Sequence, residues 1–276
     1  MHNIYLSAIL ALISAATMAA GTVWRHRIMR AGVSPLRSMR RPAWWASMGV
    51  AFLAYAFQAA ALAFGSLLVV QPVLALSLML TLLFSARQEH RRMHPEEAFW
   101  GALLTISVAG VVLLGRPLAG TREPLAWEWV IVVISAVAVV AGAFAFAYRR
   151  PTATQSLTYG ISCGALFGYQ ALFSKVAVDD FVTGGIMGLL TSWQLWAMLL
   201  AATAGTIVQQ YAFAAGNLGT SLPAAKVVEP IVAFTLGIFL LGETFRVTSG
   251  AGWAATGASI SIMLISAAML TRASVR

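Results

Sequence analysis

The sequence is nearly devoid of cysteine, sparing in charge and almost without lysine, and each scarcity removes a class of protein. Its one cysteine, Cys163, sits in an apolar run and cannot form an intrachain disulfide, so the fold is not a disulfide framework. Charged residues are 10% of the 276 and hydrophobic residues 60%, too little polarity to cover a soluble domain. The histidines His2, His26, His90 and His94 are terminal or lie between apolar runs, and no Gly-rich phosphate loop occurs. An enzyme or nucleotide-driven pump therefore lacks its parts, and no cofactor or metal is expected. The net charge of +9 comes from arginines gathered between apolar runs and not along one polar face, which argues against nucleic acid as a partner. Lys175 and Lys226 are the only lysines.

What remains is length in apolar runs. Runs long enough to span a bilayer occur at about Ile4 to Trp24, Ala43 to Phe64, Ser66 to Ala86, Ala98 to Gly115, Trp127 to Tyr148, Leu157 to Val178, Trp193 to Ala214, Leu218 to Leu241 and Ser249 to Thr271. An all-α polytopic membrane protein with about nine transmembrane helices is expected. The break at Gly65-Ser66 must be a tight hairpin, because the combined run is about twice a bilayer crossing. Trp44, Trp45, Trp127, Trp129, Trp193 and Trp196 fall at helix starts, as residues of an interfacial belt do. The first run has no Lys or Arg before it and basic residues after it, so it reads as a spanning helix rather than a cleaved signal.

Loop charge sets an orientation. One side collects Arg25, Arg27, Arg30, Arg37, Arg40, Arg41, Arg87, Arg91, Arg92, Arg149, Arg150, Arg272 and Arg276; the other collects only Arg116, Arg122, Lys175 and Arg246. By the positive-inside rule the amino terminus faces out and the carboxyl terminus faces the cytoplasm of a plasma-membrane protein. The Arg-rich first loop also lies where anionic lipid headgroups would be.

An internal repeat is visible. Tyr55-Ala56-Phe57 followed by Gln71-Pro72 matches Tyr211-Ala212-Phe213 followed by Glu229-Pro230, and Met18 to Arg25 matches Gly168 to Lys175. Helices one to four (residues 1–126) then correspond to helices six to nine (151–276). The odd number of crossings between them makes the repeats inverted, which is the architecture of alternating-access transporters. The fifth helix (127–150), with Ser135 as its one internal polar residue, stands outside the repeats, facing lipid or a second copy in a homodimer. Gly160, Gly164 and Gly168, spaced by four, read as a packing stripe.

The chemistry concentrates at Pro223-Ala224-Ala225-Lys226-Val227-Val228-Glu229-Pro230. If Leu222 to Leu241 spans the hydrocarbon, Glu229 lies about 4 Å and Lys226 about 8 Å from the midplane at about 1.5 Å per residue. Three residues apart on one helical face, they pair. Ionisable groups at this depth cost about 2.5 to 3.5 kcal/mol each and mark functional sites, though a buried pair can also serve only to pin two helices. Tyr55, Gln58, Gln71, Gln209 and Tyr211 are candidates to hydrogen-bond a solute beside them, or to bond a neighbouring helix.

The arrangement resembles the drug/metabolite transporter superfamily, EamA-like, whose repeats carry a proline in the third helix and a Gly-Glu at its end. Glu229-Pro230 through Leu241-Gly242-Glu243 is similar to that pattern, whereas the first half ends in Ser85-Ala86-Arg87-Gln88-Glu89. Ala43-Trp44-Trp45, Ala54-Tyr55-Ala56-Phe57 and Gln71-Pro72-Val73-Leu74-Ala75-Leu76-Ser77 resemble the NIPA-type magnesium transporters, a nine-helix branch with an outward amino terminus. That branch carries an acidic group before Tyr-Ala-Phe, where this chain reads Gly49-Val50-Ala51-Phe52-Leu53-Ala54. The remaining acids map to loops or helix ends, Glu243 among them. That leaves Glu229, with an ammonium one turn away, as a poor Mg²⁺ ligand. The leading expectation is a secondary transporter of a small organic metabolite or drug-like solute, with proton coupling as an option. A flippase for an anionic lipid carrier, with Lys226 receiving the phosphate, a magnesium transporter and a non-transporting scaffold stay open.

Overall fold

The computed structural model describes residues 3–30, 42–90, 92–215 and 218–274. His2, Arg37, Arg40, Arg41, Arg91 and Arg276, used above for histidine placement or orientation, lie outside the described residues. Nine helices occur among the described residues: α1 (Ile4–Arg30), α2 (Pro42–Phe64), α3 (Leu67–Gln88), α4 (Pro95–Gly115), α5 (Ala126–Ala147), α6 (Thr152–Thr191), α7 (Trp193–Ala214), α8 (Leu218–Phe239) and α9 (Gly250–Ala273). Two short strands, β1 (Pro117–Leu118) and β2 (Thr244–Phe245), pair antiparallel with Pro117 opposite Phe245. Eight helices are long and apolar enough to cross a membrane, and the apolar part of α2 is shorter, Gly49–Phe64. Each of the nine expected runs is a helix, and among the described residues eight of them qualify as spans, α2 being the exception.

Packing follows the repeat. Helix α1 packs on α2 and α3 as α6 packs on α7 and α8, while α3 meets α8 and α4 meets α9 across the halves, consistent with inverted repeats. Serines tie the first helix of each half to the second: Ser7 and Ser14 donate to the carbonyls of Ala61 and Ala54 at 2.8 and 2.7 Å, and Ser156 to that of Ala212 at 3.3 Å. A Cβ at Gly160, Gly164 or Gly168 would run into the backbone of Ser221, Ala225 or Glu229. The four-residue spacing on α6 therefore meets the same spacing on α8, and backbones touch where side chains would separate them.

Helix α3 carries Pro72 as its sixth residue, and α8 carries Pro223 as its sixth and Pro230 as its thirteenth, so each of these prolines lies inside its helix.

Helix α6 runs past the expected Val178 to Thr191, broken only at Gly185 (φ 62°, ψ −155°). Helix α5 packs chiefly on α6. There Ser135 Oγ lies 2.8 Å from Tyr169 Oη, and Trp129 contacts Phe173 and Trp193, so Tyr169 is engaged with a neighbouring helix. One end of the bundle gathers the α2–α3 hairpin, the β1–β2 pair, residue 3 and the middle of α6: the Asn3 amide donates to the Phe64 carbonyl at 3.0 Å and the Arg122 amide to that of Leu241 at 3.3 Å. We call this the hairpin end.

Candidate functional site: a mid-helix ion pair and a buried junction

The ninth and twelfth of the 22 residues of α8 are Lys226 and Glu229, so both sit at mid-helix. Lys226 Nζ donates to Glu229 Oε2 at 3.0 Å. The pair is only half-enclosed, with side chains 40% and 25% exposed. Pro230, without an N–H, leaves the Lys226 carbonyl four residues back without its helical partner, and Pro223 loosens the turn before the pair. The site therefore offers an ammonium and a carboxylate beside a carbonyl that lacks its usual helical donor. Against it, across the Gly164 and Gly168 contacts, lies the backbone of α6. Tyr55 of α2 and Cys163 of α6 are within electrostatic reach of Lys226.

The other expected site residues divide. Gln58 is buried one turn from Tyr55 on α2. Gln71, also buried, is the fifth residue of α3, which places it near the hairpin end and away from the mid-helix pair. Tyr211 belongs to an aromatic cluster with Phe144 and Tyr159, at centroid distances of 5.1 and 6.0 Å. Gln209 is half-buried on α7. Among the described residues no hydrogen bond joins Gln58, Gln71, Gln209 or Tyr211 to the pair. Lys226, Glu229 and Tyr55 form one locus; the rest surround it or support helix packing.

A second charged locus was missed by the sequence reading, which put Lys175, Asp179 and Glu243 in loops or at helix ends. Lys175 is 4% exposed on α6; its Nζ donates to the Leu62 carbonyl and to Asp179 Oδ1, both at 2.8 Å. Glu243 is fully buried, and its two oxygens accept the amides of Leu67 (2.8 Å) and Leu68 (3.1 Å). The second half thus places a cation on the carbonyl end of α2 and an anion on the amide end of α3, each matched to the helix dipole it meets. Gly242 makes this possible: its φ of 70°, which an L side chain rarely adopts, turns the chain so that the Glu243 amide bonds the Gly237 carbonyl at 2.9 Å. Burial pushes the Glu243 carboxyl up to about 7; the two amides and Lys175 pull it down, and Asp179 adds to the rise. The signal in the sequence was Gly242-Glu243 directly after an apolar helix.

Helix number, length and packing define a multi-span all-α membrane protein. The chain is 46% identical over 284 residues to an uncharacterized protein of Corynebacterium glutamicum, covering 99% of this chain and 97% of that one, and it belongs to the same family. No protein-family model matches the chain, those of the drug/metabolite transporters included. No solved structure matches it.

Proposed function

We propose that the chain is a secondary-active transporter of a small organic metabolite or drug-like solute, working by alternating access between residues 1–126 and 151–276, with α5 outside the moving halves. The observation that carries this reading is the half-exposed Lys226–Glu229 pair at mid-helix, on the third helix of one repeat and facing Tyr55 of the other. Charges at that depth are expensive, are kept where a pathway uses them, and fall at the repeat junction of inverted-repeat transporters. The resemblance to the drug/metabolite transporters points the same way. An ammonium and a carboxylate 3.0 Å apart suit a solute carrying a charge of its own, which exchanges one partner for itself, better than they suit Mg²⁺. The distribution of loop arginines supports an orientation with the amino terminus and the hairpin end outside and the carboxyl terminus in the cytoplasm of a plasma-membrane protein.

The test is thermal stabilisation of the purified protein across a panel of organic metabolites, lipid-linked phosphates and MgCl₂, followed by uptake of any stabilising compound into proteoliposomes. Stabilisation and uptake of an organic metabolite, both lost in Lys226→Met/Glu229→Leu, is the expected result. A lipid-linked phosphate as the only stabilising compound would replace transport of a solute by lipid flipping, and protein-dependent Mg²⁺ uptake would overturn the substrate class.

A further inference from the structure

The α2–α3 hairpin is held by the other half of the molecule at both of its helix ends, Lys175 on Leu62 and Glu243 on Leu67 and Leu68. We propose that Glu243 is a proton-binding site at this junction: holding a proton it keeps the two halves closed there, and losing the proton it lets the hairpin part from the α8–α9 turn.

Three features of the geometry carry this. Glu243 is fully enclosed, with the bare backbone of Gly237 against its Oε2, so its charge is desolvated while the junction is closed and hydrated once it opens. The cap is also exchangeable. Ser66 occupies the N-cap position of α3 but makes no side-chain cap bond, and its buried hydroxyl has no partner: of the two amides an N-cap side chain serves, that of Leu68 is taken by Glu243 and that of Val69 bonds the Ser66 carbonyl. When Glu243 leaves, Ser66 is in place to cap the helix itself, which gives α3 two alternative caps. Finally, a proton added to Glu243 turns one oxygen from acceptor into O–H donor. The bond given up is the longer one, from Leu68 at 3.1 Å, and the acceptor that the O–H then requires is the Ser66 hydroxyl, which has no other partner to lose.

The charges facing Glu243 among the described residues are Lys175 and Asp179 of α6. Arg122, from the connection between α4 and α5, stands against adjoining Gly242, with its guanidinium engaged by the Phe239 carbonyl and Glu128. Helix α3 offers only amides, α8 the uncharged Gly237, and α1 the hydroxyl of Ser7 beside Gly65. Linkage then fixes the sign: the closed state binds the proton more tightly than the open one, so acid closes and alkali opens. With a value of about 7 in the closed junction and roughly 4.3 for a hydrated glutamate, moving from pH 6 to pH 8 tilts the equilibrium toward open by about tenfold. Coupling this step to solute movement rests on the transporter reading; the proton site itself does not.

The experiment is labelling of a Ser66→Cys, Cys163→Ser chain in proteoliposomes by a membrane-impermeant maleimide. Rates are corrected for the thiolate fraction with a free-thiol standard. The expected result is a rate about tenfold higher at pH 8 than at pH 6, and a slow, pH-independent rate when Glu243→Gln is added. A flat parent profile, faster labelling in acid, or a pH step that survives Glu243→Gln would overturn the proposal. Infrared difference spectra of the chain with Ser66 intact give a second reading: a buried carboxylic-acid band that disappears with a midpoint near pH 7 and is missing in Glu243→Gln supports the site, and identical spectra for the two chains overturn it. A labelling step without uptake of any panel compound removes the transporter reading and leaves the proton site standing; uptake without the step does the reverse.

Discussion

The central pair and the hairpin-end junction hold the same kinds of groups in opposite settings. Lys226 and Glu229 are local, one turn apart on a single helix, and half-exposed. Lys175 and Glu243 are buried, and each satisfies backbone groups more than a hundred residues away in sequence. The first arrangement leaves both charged groups partly accessible; the second commits its polar groups to the backbone of helix ends. Depth in the membrane therefore marks a group as costly, and only its partners tell whether the cost goes to a ligand or to the fold.

The comparison is tested hardest by Glu243→Ala. Even with Ser66 free to cap the Leu68 amide, leaving the Leu67 amide buried without a partner should destabilise the protein by about 2 to 3 kcal/mol, seen as a clear fall in melting temperature. Glu229→Gln, in a half-exposed pair, should cost less than about 1 kcal/mol. Equal losses would erase the distinction between the two loci.

Next in size is the pH dependence of stability. The folded value of Glu243, about 7, lies above its ordinary one near 4.3, so its contribution is fully present below the ordinary value and is lost as pH rises through 7. The parent should therefore lose up to about 3 kcal/mol relative to Glu243→Gln between pH 4 and pH 8, as read from paired denaturation curves. A difference independent of pH would mean that Glu243 does not titrate in the fold.

How much of this was legible in the sequence follows from which signals are local. Helix number, the Gly65-Ser66 hairpin, the Gly160/Gly164/Gly168 stripe and the Lys226–Glu229 pairing depend on neighbours within a turn or on run length, and all four were readable. The Glu243 bond to Leu67 spans 176 positions, and no local pattern signals it. Asp179 and Asp180 interrupt the hydropathy of α6, so the expected run stopped at Val178 with Lys175 near its end, whereas the helix continues to the break at Gly185.

A smaller effect is expected at the α6–α8 seam. Gly164→Ala puts a methyl into the Ala225 backbone and should cost about 1 to 3 kcal/mol, whereas Gly142→Ala on peripheral α5, where a Cβ meets nothing within 4 Å, should be neutral or slightly stabilising. Matching losses at the two glycines, measured by thermal denaturation, would contradict close packing of α6 on α8 beside the pair.

The most direct test of the central pair as a working site is uptake into proteoliposomes of the compound that stabilises the parent protein, compared between the parent and Lys226→Met/Glu229→Leu. The double replacement removes both charges together, so neither is left unpaired and folding should be retained. The expected result is a double variant with parental melting temperature and no uptake; a double variant that is stable and transports at the parental rate would contradict the site.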